Sequence, residues 1–368
     1  MNKVTQVMAL LFILFALIGL NSANADTCMT IRPSQTIQVD GDITGIAIDS
    51  SGPSTNKLFL ADYEGSRVVT LSVSRTSGAT MDISTITDDD SLINNPLGIA
   101  INPVTMAVYV TSSNSENLYS VIVNGMIFRG IPNPFNSSSH VPEGVGAGIT
   151  IAADMTFLDT LTYITDYFTD RLFILNNNVP SSNDDARIAG KVMVENGPAG
   201  IALKPGVPGS MGSPDVIYVV NSKSKSISVV ESGQEGYQVI DRITLSFEPS
   251  GGIVVDPSTG TLYVASKDTN SFAVIKQNDD ETYSSDPIVN VSSIAINPSK
   301  NRAYLVSNSQ GTLTTIDTTT NQVNNCYKVD NARSVSYYTP LSAMGTATGP
   351  TTVFVGTSDG KLQIFNNL

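Results

Sequence analysis

The chain has no tryptophan, a single histidine and two cysteines among its 368 residues. Each shortage removes a class of chemistry. Without Trp there is no indole platform on which to stack a sugar or a quinone cofactor. A zinc or copper centre built from side chains draws on several His or Cys ligands, and His140 has no second imidazole to join. No Cys-x-x-Cys-His segment is present, so covalent c-type haem attachment is excluded. The Gly-x-Ser-x-Gly elbow of serine hydrolases is missing too, because Gly209-Ser210-Met211-Gly212-Ser213 has the wrong spacing. No cofactor is expected. Basic residues are also scarce: 20 Lys and Arg stand against 33 Asp and Glu, a formal charge of -13. Such a surface stays soluble and repels nucleic acid and anionic lipid, so neither is an expected partner.

Long apolar runs are confined to one place, Val7 to Leu20, preceded by Met1-Asn2-Lys3 and followed by Ala23-Asn24-Ala25. A basic start, a greasy centre and a small-x-small cleavage site in that order read as a secretory signal peptide over residues 1–25, cut before Asp26. A membrane anchor needs about 20 apolar residues, more than this run supplies. The mature chain, 26–368, is therefore expected in the periplasm or outside the cell, with no transmembrane segment. Asp26 stands where a lipoprotein signal has small apolar residues, which argues against lipidation of Cys28. In an oxidising compartment Cys28 and Cys326 are expected to bond to each other and close a loop of almost the whole chain; the alternative is two isolated thiols.

What is abundant is repetition. Pro96–Pro103, Pro198–Pro205, Pro249–Pro257 and Val291–Pro298 are near-copies of one short phrase with the core Gly-Ile-Ala-Ile-Asn-Pro. Each is followed by a second strand rich in Tyr, Val and Phe, a polar hairpin and a third apolar strand, as in Val216–Asn221 followed by Ser226–Val230. Strand-forming residues broken by Asn, Asp, Gly and Ser, with no helical period between them, indicate an all-β chain. The inner strands centre near Ile46, Ile99, Ile149, Ile201, Ile253, Ile294 and Val335, 41 to 53 residues apart. That period belongs to propeller blades, and seven centres predict a seven-bladed β-propeller in one domain over 26–368. The last repeat ends after its third strand, whereas Gln35–Val39 is an orphan strand before the first. The orphan is expected to complete the seventh blade and close the ring, with Cys28 arriving beside that blade and Cys326 on the outer strand of the sixth.

With the repeats laid out, the chain resembles the YVTN-type seven-bladed propellers, on the Gly98–Pro103 phrase, the strands Tyr109-Val110-Thr111 and Tyr218-Val219-Val220-Asn221, and the Ser-rich hairpins 222–226 and 307–311. The resemblance implies the fold and a spread of functions, from surface-layer and periplasmic proteins to lactonase-like enzymes. In propellers of the gluconolactonase kind, carboxylates and amides at the inner-strand entries hold a divalent metal. Here those entries read Thr44-Gly45, Leu97-Gly98, Ala147-Gly148, Ala199-Gly200, Gly251-Gly252, Ser292-Ser293 and Arg333-Ser334, which supply no ring of oxygen ligands, so no metal is expected. The recurring Asp49, Asn102, Asp256 and Asn297 end inner strands before a turn and are expected to cap their own backbone.

Arg333 is the candidate site residue: a charge at an inner-strand entry either faces the central funnel and attracts an anion, or pairs with an acid of a neighbouring blade. Arg129, Phe135, His140 and Glu143, in or beside the long insert after blade two, are candidates for the same mouth. The expected function is a binding or assembly module that holds a protein or cell-envelope ligand at one mouth. The alternative is a hydrolase or lyase acting on a small lactone-like substrate in the funnel, and a carboxylate or histidine beside Arg333 would favour it.

Overall fold

The computed structural model describes residues 28–52, 54–75, 80–86, 93–102, 105–112, 120–123, 126–129, 148–154, 159–167, 169–176, 188–206, 214–233, 236–267, 272–276, 282–285, 291–341 and 347–368. The signal segment 1–25, the insert carrying Phe135, His140 and Glu143, and Ala147 lie outside these residues. Seven antiparallel sheets follow one another along the chain, the seven-bladed propeller that the repeat spacing predicts. Their inner strands are Ile43–Asp49, Pro96–Ile101, Gly148–Asp154, Pro198–Lys204, Pro249–Val255, Val291–Asn297 and Ala332–Tyr338, and each touches the next around a closed ring. Among the described residues no helix is long and apolar enough to cross a membrane.

One register position in the second strand makes the blades pack. There Phe59, Tyr109, Tyr163, Tyr218, Tyr263, Tyr304 and Phe354 pair across the ladder with Ala47, Ala100, Thr150, Ala202, Val254, Ala295 and Ser336. All seven rings are buried. The inner-strand partner is small or β-branched, so each ring has room to lean onto the following blade. Tyr163 joins Ile217 and Val219, Tyr263 joins Ala303 and Leu305, and Phe354 of the last blade joins Leu58 and Leu60 of the first. An aromatic side chain of this kind removes about 150–250 Å2 from water, at roughly 25 cal/mol per Å2 of apolar surface. Phenol hydroxyls reach across as well: Tyr163 donates to Asp215 Oδ2 (3.2 Å), Tyr263 to Asn321 Oδ1 (3.0 Å) and Tyr304 to the Leu368 carbonyl (3.3 Å). Burial pushes the Tyr263 phenol up to about 12, so it remains a neutral donor.

The ring closes as expected. Gln35–Gln38 lies antiparallel on Lys361–Asn366 as the outermost strand of blade seven, with Gln35 opposite Ile364 and Gln38 opposite Lys361. The turn that follows passes so close to Gly360 that a side chain there would place its Cβ 2.5 Å from Asp40 Cα. Arg67 holds the same turn from blade one, its Nη2 donating to the Val39 carbonyl (3.0 Å) while its Nε pairs with the fully buried Asp62 at 2.6 Å.

The two cysteines are bonded, with Cα atoms 4.8 Å apart. Cys326 lies on the outer strand of blade six, Gln322–Lys328. Cys28 arrives on that same edge and not beside blade seven: Met29–Thr30 adds a fifth, parallel strand opposite Tyr327 and Lys328, and the chain then crosses to blade seven. The N-terminus thus straps two neighbouring outer edges together.

The bond joins residues 298 positions apart. For a loop of that length the chain-entropy model gives about 5–6 kcal/mol, which at an unfolding entropy of about 2.1 cal/mol/K per residue equals about 7–8 °C. Cys326→Ser is expected to lower Tm by about 5–8 °C in calorimetry. A loss below about 2 °C would mean that strand pairing alone accounts for closure.

Candidate functional site

The inner strands do not pair regularly with their neighbours at the start. In six blades the ladder slips between the first residue and the regular run: Ile43/Gly45, Pro96/Gly98, Pro198/Gly200, Pro249/Ile253, Val291/Ser293 and Ala332/Ser334. A bulge leaves an unpaired residue and re-aims its side chain. The residues left out of register, Thr44, Leu97, Ala199, Ser250, Ser292 and Arg333 among them, line a central cavity of about 460 Å3. Six of the seven entry pairs named from the sequence meet there. Ala147 lies outside the described residues.

Most of the polar groups on this rim are already engaged in holding the ring together. Thr44 Oγ1 donates to the Pro96 carbonyl (2.8 Å), Ser250 Oγ to the Val291 carbonyl (2.8 Å) and Ser334 Oγ to the Ile43 carbonyl (2.7 Å). Each acceptor is the first inner-strand residue of the next blade. Ser293 Oγ accepts from Val335 N, joining blades six and seven (3.3 Å). Between blades four and five the backbones come closer still: a Cβ on Gly200 would lie 1.7 Å from the Gly251 carbonyl oxygen, so only glycine fits.

Arg333 is the charged residue that lines the cavity, and it lies beside an acid of a neighbouring blade. Its side chain is 37 % exposed, and its Nε lies 3.4 Å from Asp42 Oδ1 of blade one, a neighbouring blade's acid. The contact is an ion pair without hydrogen-bond geometry: Asp42 Oδ1 is buried and accepts no hydrogen bond. Asp42 is 15 % exposed. Burial holds its carboxyl above the ordinary aspartate range, more strongly than Arg333 pulls it down, and the nearby Glu64 and Asp62 push in the same direction.

Asp42 lies two positions before the entry pair Thr44-Gly45, outside the column of entries in which the sequence offers candidates. The residue just before the inner strand is Asp42, Asn95, Ala147, Gly197, Glu248, Asn290 and Asn331 in the seven blades, a column richer in acids and amides than the entries. The fold has other uses for most of it: Asn95 Nδ2 donates to the Tyr63 carbonyl, and Glu248 pairs with Lys267. Three of the four turn-forming residues behave as expected, with Asp49 accepting from Ser51 N, Asn102 from Thr105 N and Asp256 from Ser258 N, whereas Asn297 caps no backbone N–H and instead donates from Nδ2 to Thr339 Oγ1 (2.9 Å) and Thr351 Oγ1 (3.3 Å) of blade seven. Arg129 ends the outermost strand of blade two, opposite Ser120, on the face of the entries but three strands from the axis. Among the described residues no three or more His, Cys, Asp and Glu converge as a metal-binding group.

Because the folded-state pKa of Asp42 is raised, stability is greatest where the carboxyl is protonated and declines as pH rises from the unfolded value through the raised one. Asp42→Asn removes the buried charge. Its Tm at neutral pH is expected to equal or exceed that of the native chain, with the difference vanishing toward about pH 4. A fall of several degrees at neutral pH would show that the attraction of Arg333 outweighs desolvation.

No family model matches the chain, and no curated protein matches it. Among solved structures it is similar to the hydrazine synthase of Kuenenia stuttgartiensis, with a TM-score of 0.63 and 14 % identity over 92 % of this chain and 97 % of that one. At that identity the likeness is one of fold, a multi-bladed all-β propeller.

Proposed function

We propose that the protein is a binding module of the cell envelope or its exterior, related to the YVTN-type propellers, which holds a protein ligand at the mouth formed by the inner-strand entries. One observation carries the reading. The cavity has a rigid rim whose hydroxyls are engaged between blades, and a half-exposed guanidinium whose two terminal nitrogens have no partner among the described residues. A charge held at the edge of such a mouth supports recognition of an anionic group. The export pattern of residues 1–25 and the Cys28–Cys326 bond, a linkage that persists in oxidising compartments, support a location outside the cytoplasm. The acidic composition supports a protein or envelope partner over nucleic acid.

A photocrosslinking residue placed at Leu97, on the rim, is expected to give one defined protein adduct in cells. The same residue at Val239, exposed on the outer strand of blade four, is expected to give none, and Arg333→Ala is expected to abolish the Leu97 adduct. Adducts from both positions, or from neither, would overturn the assignment of the ligand to this mouth.

Asp42 favours a second reading, a hydrolase or lyase acting on a small lactone-like substrate. A carboxyl with a raised pKa beside an arginine is a pattern found at general acid–base sites. Turnover of simple lactones that is lost in Asp42→Asn would establish this reading, and lactones left intact by the native protein would dismiss it.

A further inference from the structure

The seam between blades six and seven brings two uncommitted donors to the cavity. The first is Arg333. Asp42, which does not line the cavity, lies against the guanidinium at its Nε, 3.4 Å away. The two terminal nitrogens have no partner among the described residues, and together they form the end-on fork that matches the two oxygens of a carboxylate. The second donor is Ser293. Its Oγ accepts from Val335 N (3.3 Å), two residues along the chain from Arg333, and among the described residues its own hydrogen goes to no acceptor.

Ser293 differs in this from the other hydroxyls of the rim. Thr44, Ser250 and Ser334 donate to carbonyls of the next blade and Ser292 to the Val306 carbonyl of its own, so their hydrogens are committed. Ser293 holds the ring through a lone pair and keeps its hydrogen.

Each feature narrows the ligand. A cation is repelled by Arg333, and an amide brings no charge to answer it. A dianion such as phosphate is drawn to the guanidinium but meets Asp42 behind it and a chain whose formal charge is -13. A carboxylate carries a single charge, and its two oxygens offer about four lone-pair sites, enough for both terminal nitrogens and the Ser293 hydroxyl. The rim is built of small residues, Gly98, Ala199, Gly200 and Gly251 among them, and about 460 Å3 admits a side chain or two but not a folded surface.

We propose that the mouth takes one acidic side chain, Glu or Asp, from a protruding loop of the partner protein, with its carboxylate on the terminal nitrogens of Arg333 and on the Ser293 hydroxyl; this rests on the binding-module reading above. Ser293 then has two roles, its lone pair joining blades six and seven and its hydrogen reading the ligand.

The test uses the full-length, disulfide-bonded mature protein, immobilised and challenged with two pools of hexapeptides blocked at both ends. Both pools are randomised over uncharged residues, with Glu fixed at one central position in the first and Gln in the second. Retained peptides are read by mass spectrometry. The Glu pool is expected to be retained about tenfold or more above the Gln pool. Arg333→Lys keeps the charge beside Asp42 but loses the fork, and is expected to reduce retention about tenfold with Tm unchanged. Ser293→Ala is expected to reduce it about tenfold as well, and Ser293→Thr, which returns the hydroxyl, to restore most of it. Equal retention of both pools would overturn the carboxylate as the recognised group while leaving the mouth a protein-binding face. Retention of neither pool would also overturn the inference, and crosslinking from Leu97 would still decide the broader reading on its own. Glu-pool retention that survives both Arg333→Lys and Ser293→Ala would overturn the site. Full displacement of the peptides by an equal concentration of inorganic phosphate would overturn the side chain in favour of a small oxyanion.

Discussion

The structure depends on buried aromatic rings in the second strands, which in six blades lean onto the blade that follows. A four-stranded sheet of this size is marginal alone, because both faces carry apolar residues and neither is covered. The rings cover those faces in one rotational sense. Phe59 leans on Val108 and Val110, Tyr218 on Leu262 and Val264, Tyr304 on Val353 and Val355, and Phe354 returns to the first blade. The interaction is cyclic, so no blade is a free end. Blade seven would still have an unpaired outer edge without Gln35–Gln38, and Arg67, the Cys28–Cys326 bond and the short strand Met29–Thr30 all hold the N-terminal strap that covers it.

The same closure produces the mouth. Inner strands that converge on one axis crowd their entries, and the crowding is relieved by recurrent bulges, by small residues at the rim and by the contact of Gly200 with the Gly251 backbone. The hydroxyls of Thr44, Ser250 and Ser334 bond to the next blade and that of Ser292 to its own, which engages them in holding the ring. Arg333 and Asp42 stand apart from this stitching. Blade seven carries a long cation where the others have Thr, Leu, Ala, Gly or Ser, and it meets a carboxylate from the strap that closes the ring. The most distinctive chemistry of the cavity thus falls at the seam between the last blade and the first.

Much of the fold was legible before any coordinates. The repeated phrases placed the inner strands, the Tyr-rich runs placed the second strands, and the orphan strand with the truncated last repeat identified the closure. The turn-forming Asp49, Asn102 and Asp256 were identified correctly because a side chain bonding its own backbone two or three residues on is a local event. Less of the site was legible. Arg333 stood out as the charge in an otherwise neutral column, yet Asp42 did not, because its pairing spans most of the chain. The partner of Asp62 was within reach in hindsight: Arg67 faces it across a four-residue hairpin. Cys28 was assigned to the neighbour of the blade it joins, since nothing in the sequence says on which side of a seam an extended strap begins.

By itself the sequence determined the all-β class, the number and order of the blades, the residues at the axis and the pairing of the two cysteines. All of these follow from period, strand propensity and the presence of two cysteines, which are properties of short segments or of counts. Only the tertiary structure decided that rim hydroxyls stitch blades together, that Asp42 is buried beside Arg333 with an oxygen left unbonded, and that the aliphatic residue beyond each entry packs into the core between two blades. Those are consequences of ring closure, which brings residues nearly 300 positions apart within 3.4 Å of each other and sets their electrostatics by desolvation.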